Sequence, residues 1–99
     1  MEISAAYLDS MICAIRRNKT EAIIEEVKDL IQEARADLIG VGILEEKVVN
    51  ESDPLIKGAI RCFVKWKFGL ASEDVELYRR DYLDLKENIR RNVDYMEVE

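Results

Sequence analysis

Residues 54–68 are apolar on nearly every side. Leu55, Ile56, Ala59, Ile60, Cys62, Phe63, Val64, Trp66 and Phe68 crowd this stretch, and Lys57, Arg61 and Lys65 form its single polar stripe at i, i+4, i+8. The pattern predicts a helix, with Asp53 as N-cap, Pro54 at the first helical position and Gly69 as its stop. A helix apolar over most of its circumference cannot lie on a surface, so other elements must enclose it. A chain of 99 residues has room for one domain around such a helix and too little for two. Four Gly and one Pro leave few turns for a small β-fold. The expected fold is all-α: one domain spanning residues 1–99, a bundle of about four helices with this apolar third helix at its centre.

Three further helices follow from periodicity and caps. One is expected over residues 4–17, with Ser4 as N-cap and Ala5, Leu8, Met11, Ile12, Ala14 and Ile15 as its inner stripe. A second is expected over 20–39, capped by Thr20 or Asn18 and stopped by Gly40 and Gly42. It buries Ile23, Ile24, Val27, Leu30, Ile31, Ala34 and Leu38. Arg35 and Lys28 read as exceptions on an otherwise acidic outer face. A fourth helix is expected over 73–91, capped by Ser72, with Glu73, Asp74 and Glu76 near its positive end. Its Val75, Tyr78, Tyr82, Leu85 and Ile89 make a narrow seam. Phe63, Trp66, Phe68, Tyr78 and Tyr82 are expected to pack between the last two helices. The tail, 92–99, carries Val93, Tyr95, Met96 and Val98, more apolar than a disordered end requires.

Residues 43–53 form the longest irregular stretch, with room for one helical turn near Leu44. Ile43, Leu44, Val48 and Val49 are too apolar for an idle solvated loop. They either cover the end of the bundle or meet a partner.

Histidine is absent, which removes His-based triads, His general bases and carboxylate–His metal sites. Cys13 and Cys62 each sit in an apolar stretch and read as small buried hydrophobes of a reducing compartment. No basic segment leading into an apolar one marks a secretory signal at the N-terminus, and no apolar run approaches the length of a membrane span. The formal charge of −6, from 15 basic and 21 acidic residues, disfavours a free-standing nucleic-acid-binding domain.

Two charged groups could carry chemistry. Glu25, Glu26, Asp29 and Glu33 share one helix face, and Asp81, Asp84 and Glu87 recur at helical spacing on the fourth helix. Carboxylates one turn apart can hold Mg²⁺, and facing pairs of this kind serve all-α nucleotide pyrophosphohydrolases. That alternative would use Glu25, Glu26, Asp29, Asp81 and Asp84. A solvated acidic face is the commoner meaning of the pattern. The stripe Lys57, Arg61 and Lys65 either touches phosphates or pairs with the acidic second helix, within or between subunits. Ion pairing is favoured by the net charge. A small DNA-binding regulator is a third alternative. The connection between the second and third helices is too long for a helix-turn-helix, and the would-be recognition helix is nearly all apolar. No glycine-rich phosphate loop or nucleophile–base pair is present in motif form, so no catalysis and no metal or other cofactor is expected.

The chain's motifs also stand in a recognisable order. Ala34-Arg35-Ala36-Asp37-Leu38-Ile39-Gly40-Val41-Gly42 ends one helix. Ser52-Asp53-Pro54-Leu55-Ile56-Lys57-Gly58-Ala59-Ile60 starts the next, and Phe63-Val64-Lys65-Trp66-Lys67-Phe68-Gly69 ends it. Tyr78-Arg79-Arg80-Asp81-Tyr82-Leu83-Asp84-Leu85-Lys86 lies on the last. Their order resembles the small helical head–tail connector proteins of tailed phages and prophages, the head-completion adaptors labelled phage DNA-packaging proteins, and the resemblance covers roughly Ile23 to Leu85, most of the chain. The segment 6–12 departs from that family's usual first helix.

The resemblance implies a structural virion protein, not an enzyme. It would form a ring of about a dozen copies beneath the portal once DNA is packaged. Its implied partners are itself, the portal protein and the next head-completion or tail protein. DNA would pass through the channel without sequence-specific binding. Its implied location is the virion's head–tail junction, with host cytoplasm before assembly, and no membrane is involved. Ring closure needs two unlike patches on each copy. Ile43, Leu44, Glu45, Glu46, Lys47, Val48 and Val49 are expected to supply one. Arg90, Arg91, Val93, Tyr95 and Met96 are expected to dock on the portal or a neighbour. Glu25, Glu26, Asp29, Glu33, Lys57, Arg61 and Lys65 are candidates for ion pairing between subunits. Aspartates at positions 48 and 49 are expected to block assembly with helicity intact.

Overall fold

The computed structural model describes residues 2–68 and 74–96. The fold is all-α. Its helices are α1 (Ala5–Ala14), α2 (Glu21–Gly40), the single turn α3 (Glu45–Val48), α4 (Pro54–Phe68) and α5 (Val75–Arg90), followed by a 3-10 turn at Val93–Tyr95. Gly69, Ser72 and Glu73, expected at the junction of the last two helices, lie outside the described residues, as does Val98.

The helix starts follow from their caps. Ser4 Oγ accepts from Tyr7 N at 3.1 Å, and Thr20 Oγ1 from Ile23 N at 3.3 Å. Asp53 Oδ1 accepts from Leu55 N at 3.0 Å and Ile56 N at 3.1 Å, satisfying amides that Pro54 and the helix start leave open. Gly42 ends α2 at φ 97°, and a Cβ there would stand 3.1 Å from Met96 Cε, so glycine serves both the turn and the close approach.

α4 is the central element. It packs against α5 and α2 most extensively, and α1 closes over α2 and α4. Ile56, Ala59, Ile60, Phe63 and Val64 of α4 are buried, and Val27, Ile31, Ala34 and Leu38 of α2 face them in the core. Phe63 makes edge contacts with Trp66 and with Tyr82 of α5, at ring separations of 5.6 and 5.0 Å.

Three features depart from the expected pattern. In α1 the expected Leu8, Met11 and Ile12 are buried and Ala14 and Ile15 half-buried, but Tyr7 joins the buried face and Ala5 is exposed. Cys13 is exposed on the opposite side of α1 instead of buried, and Cys62 is half-buried against the core. The third is Arg35, which is fully buried instead of lying on the outer face of α2. Tyr7, on the buried face of α1, provides a ring surface for its guanidinium, 5.9 Å from the centroid.

The C-terminal segment is fastened to the α2–α4 connection. Ile43 and Met96 form an isolated antiparallel bridge, and Leu44 N donates to Tyr95 O at 2.7 Å. Tyr95 Oη donates to Asp53 Oδ2 at 2.7 Å, so Asp53 caps α4 with one oxygen and holds the tail with the other. Asp53→Ala should cost about 2–3 kcal/mol, a cap plus a side-chain hydrogen bond. Tyr95→Phe should cost about 1 kcal/mol, because the cap survives, and urea titration of both variants checks the difference.

Candidate functional site

The structure distributes the predicted site residues over four places. In the connection, Ile43 and Val48 are 1% exposed and belong to the core. Their apolar character covers the end of the bundle, leaving Glu45 and Glu46 exposed and Leu44, Lys47 and Val49 half-buried as the outer surface. Lys47 Nζ stands 5.4 Å from the centre of the Tyr95 ring. Aspartate at position 48 would therefore bury a charge in the core and break the fold, contrary to the expectation of intact helicity. Val49→Asp alone is the usable probe.

Tyr95 and Met96 are half-buried and engaged with the connection, as described above. Beside them, Arg90 and Arg91 both pair with Glu87, at 2.9 and 3.5 Å. Val93 is 77% exposed on the 3-10 turn. Asn92 Oδ1 accepts from Asp94 N at 3.0 Å and stiffens that turn. The result is a ledge: a rigid turn presenting one apolar side chain next to two cations that share one carboxylate.

On α2, Glu25, Glu26, Asp29 and Glu33 are all exposed. Among the described residues the cation within reach of this set is Lys28, at 4.0 Å from Glu25. The basic stripe of α4 does not meet it. Lys57 lies over the Tyr7 ring, and Arg61 and Lys65 turn into a groove between α1, α4 and α5. Pairing between the two sets within the chain is therefore absent among the described residues. Asp81 and Asp84 lie on α5, and α4 packs against both α2 and α5. No three potential metal ligands come together among the described residues.

The groove is the feature that sequence spacing missed. Arg16 and Arg17 follow the last turn of α1 and line it with Arg61, Lys65, Phe68 and Tyr78. Sequence could show two basic pairs, 16–17 and 61–65, but their meeting depends on how α1 crosses α4.

No family model, curated protein or solved structure matches this chain.

The remaining ionisable cluster is structural. Tyr82 Oη donates to Asp37 Oδ2, and Lys86 Nζ reaches the same oxygen at 3.0 Å. Burial pushes the Asp37 carboxyl up, but the bonds from Tyr82 and Lys86 and the charges of Lys86 and Lys67 outweigh it and hold it below its usual 3.8. Burial likewise opposes, and two bonds from Ser4 with the Arg35 and Lys57 charges overcome, the rise of Glu51, which sits below its usual 4.5. Tyr82 is pushed up by burial and by its bond to Asp37. Burial also raises Tyr7, to about 12.

A depressed carboxyl stabilises the fold above its unfolded-state value and loses that contribution as pH falls through the folded value. The urea midpoint should accordingly hold from pH 7 to about 5 and fall as pH drops below the ordinary carboxylate values. Asp37→Asn should flatten part of that fall. An equally steep fall in the variant would remove Asp37 from the account.

Among the described residues no helix is long and apolar enough to cross a membrane.

Proposed function

We propose that this chain is a structural assembly protein, a head–tail connector that closes into a ring beneath a phage portal and bridges head to tail. The observation that carries the proposal is the pair of unlike surfaces on one chain. The outer face of α2 presents Glu25, Glu26, Asp29 and Glu33 with little neutralisation from within. The C-terminal ledge presents Val93 beside Arg90 and Arg91. A head-to-tail ring needs two different patches of this kind, whereas a two-fold dimer needs one patch that matches itself. The pinning of the ledge to the α2–α4 connection also lowers the entropy cost of docking it.

Exposed ion pairs contribute roughly 0–1 kcal/mol each, so a single contact between copies is weak. Many weak contacts acting on a template would still close a ring. Light scattering on a sizing column, with negative-stain images, tests the proposal with and without a phage portal protein. Rings of about a dozen copies, alone or on the portal, support it. A closed two-fold dimer that ignores the portal, or Mg²⁺-dependent hydrolysis of nucleoside triphosphates, overturns it.

A further inference from the structure

We propose that the groove between α1, α4 and α5 binds a nucleoside phosphate. Its volume is about 820 Å³, within the range of small-ligand clefts. Arg16 and Arg17 reach it from the end of α1, and Arg61 and Lys65, one turn apart, from α4. The chain has 21 acidic residues, more than enough to neutralise four cations. Among the described residues, none of the four has a carboxylate within ion-pair distance. Asp74 also lines the groove and has an interaction of its own.

Two of the cations are held by rings. The Arg17 guanidinium carbon lies 5.7 Å from the centre of Phe68, and Lys65 Nζ lies 5.2 Å from that of Tyr78. A ring face orients a cation through its quadrupole but offers no lone pair, so the N–H groups remain available to a ligand. Arg16 is held at φ 55°, a left-handed conformation that glycine adopts far more readily. The strained backbone puts a third guanidinium where glycine would serve the turn better. Such outliers concentrate at functional sites.

Four cations against the one lining carboxylate of Asp74 leave an excess of positive charge around the concavity, and an anion relieves their mutual repulsion. Guanidinium forks match phosphate oxygens. Ala14, Ile15 and Phe68 give the same groove an apolar part that suits a sugar or base. The acidic face of α2 from a second copy is the competing occupant. Its carboxylates stand on a convex cylinder about 10 Å across, whereas these cations line a hollow.

Calorimetry and amide-shift mapping at low salt test the site. The probes are deoxyadenosine 5′-monophosphate, deoxyadenosine, a single-stranded oligonucleotide and a peptide of residues 21–36. The nucleotide should bind and move amides near Arg16, Arg61 and Lys65, and the nucleoside should not. Arg61→Gln with Lys65→Gln should weaken binding about a hundredfold. Arg16→Gly should weaken it about tenfold without lowering the melting temperature, which separates lost binding from lost folding. An oligonucleotide that binds far more tightly, with a steep salt dependence, assigns the phosphate to a nucleic-acid strand. Equal affinity assigns it to a free nucleotide. Indistinguishable nucleotide and nucleoside, shifts elsewhere, or tighter binding of the acidic peptide overturns the proposal.

Discussion

Phe63→Ala should lower the stability of the fold by about 3–5 kcal/mol, the usual cost of deleting a buried aromatic ring. Phe63 is 3% exposed and sits where α4 meets α5. Its ring contacts Trp66 at an interplanar angle of 82° and Tyr82 at 66°, edge arrangements worth roughly 1 kcal/mol beyond the buried area. The vacated space cannot close easily, because Trp66 is fixed on α4 itself and Tyr82 on α5, which is already packed against it. A domain of this size has about 5–15 kcal/mol in total, so the variant should lie near the limit of folding at 25 °C. Phe63→Leu should cost distinctly less, since it retains most of the volume. Urea unfolding read by far-UV circular dichroism checks both, with an unchanged slope expected if the native state remains compact. A loss below about 1 kcal/mol for the alanine variant would mean that α4 is not the centre of the core.

The second large effect should come from Arg35. Its side chain is wholly buried, yet it is a permanent cation. Nη1 donates to Glu2 O at 3.1 Å, and Nη2 lies 3.7 Å from Glu51 Oε2. Glu51 also accepts from Ser4 N at 2.8 Å and Ser4 Oγ at 2.5 Å. Arg35 therefore ties α2 to the N-terminal segment and, through Glu51, to the middle of the α3–α4 link. Its Nε finds no acceptor among the described residues, so the burial of its charge is incompletely repaid.

Arg35→Ala should cost about 3–5 kcal/mol, because it opens a cavity and leaves Glu51 without its cation. Arg35→Met should cost less. It fills the space and removes the unsatisfied Nε. Adding Glu51→Gln to Arg35→Met should recover further stability, since the remaining charge then disappears too. Equal losses for the alanine and methionine variants would show that charge, not volume, dominates the site. Loss of the Ser4 tie should also loosen the start of α1, which amide exchange at Tyr7 and Leu8 would detect.

The local features of this fold were legible because they depend on residues within one helical turn. Asp53 and Pro54 start α4, Thr20 starts α2 and Gly42 ends it, each through bonds or dihedrals within about four positions. The central place of α4 was equally legible, because a helix with so little polar surface has nowhere else to go. The exposed carboxylates of α2 and the aromatic contact of Phe63, Trp66 and Tyr82 followed from the same periodicity.

Tertiary structure decided what periodicity leaves degenerate. In α1, apolar residues spread over more than half of the helix, so several rotations bury nearly equal area. Packing on α2 and α4 added Tyr7 to the expected face and left Ala5 outside it. That choice gives Arg35 a ring to lie against, which is why a charge on the expected outer face sits inside. Position 48 was spent on the core for a similar reason: the short turn α3 folds back over the end of the bundle. The groove has the same origin. Arg16 and Arg17 are separated from Arg61 by more than forty positions. Only the crossing of α1 over α4 places their charges around one hollow, because electrostatic proximity depends on distance in space and sequence spacing fixes it only along a single helix.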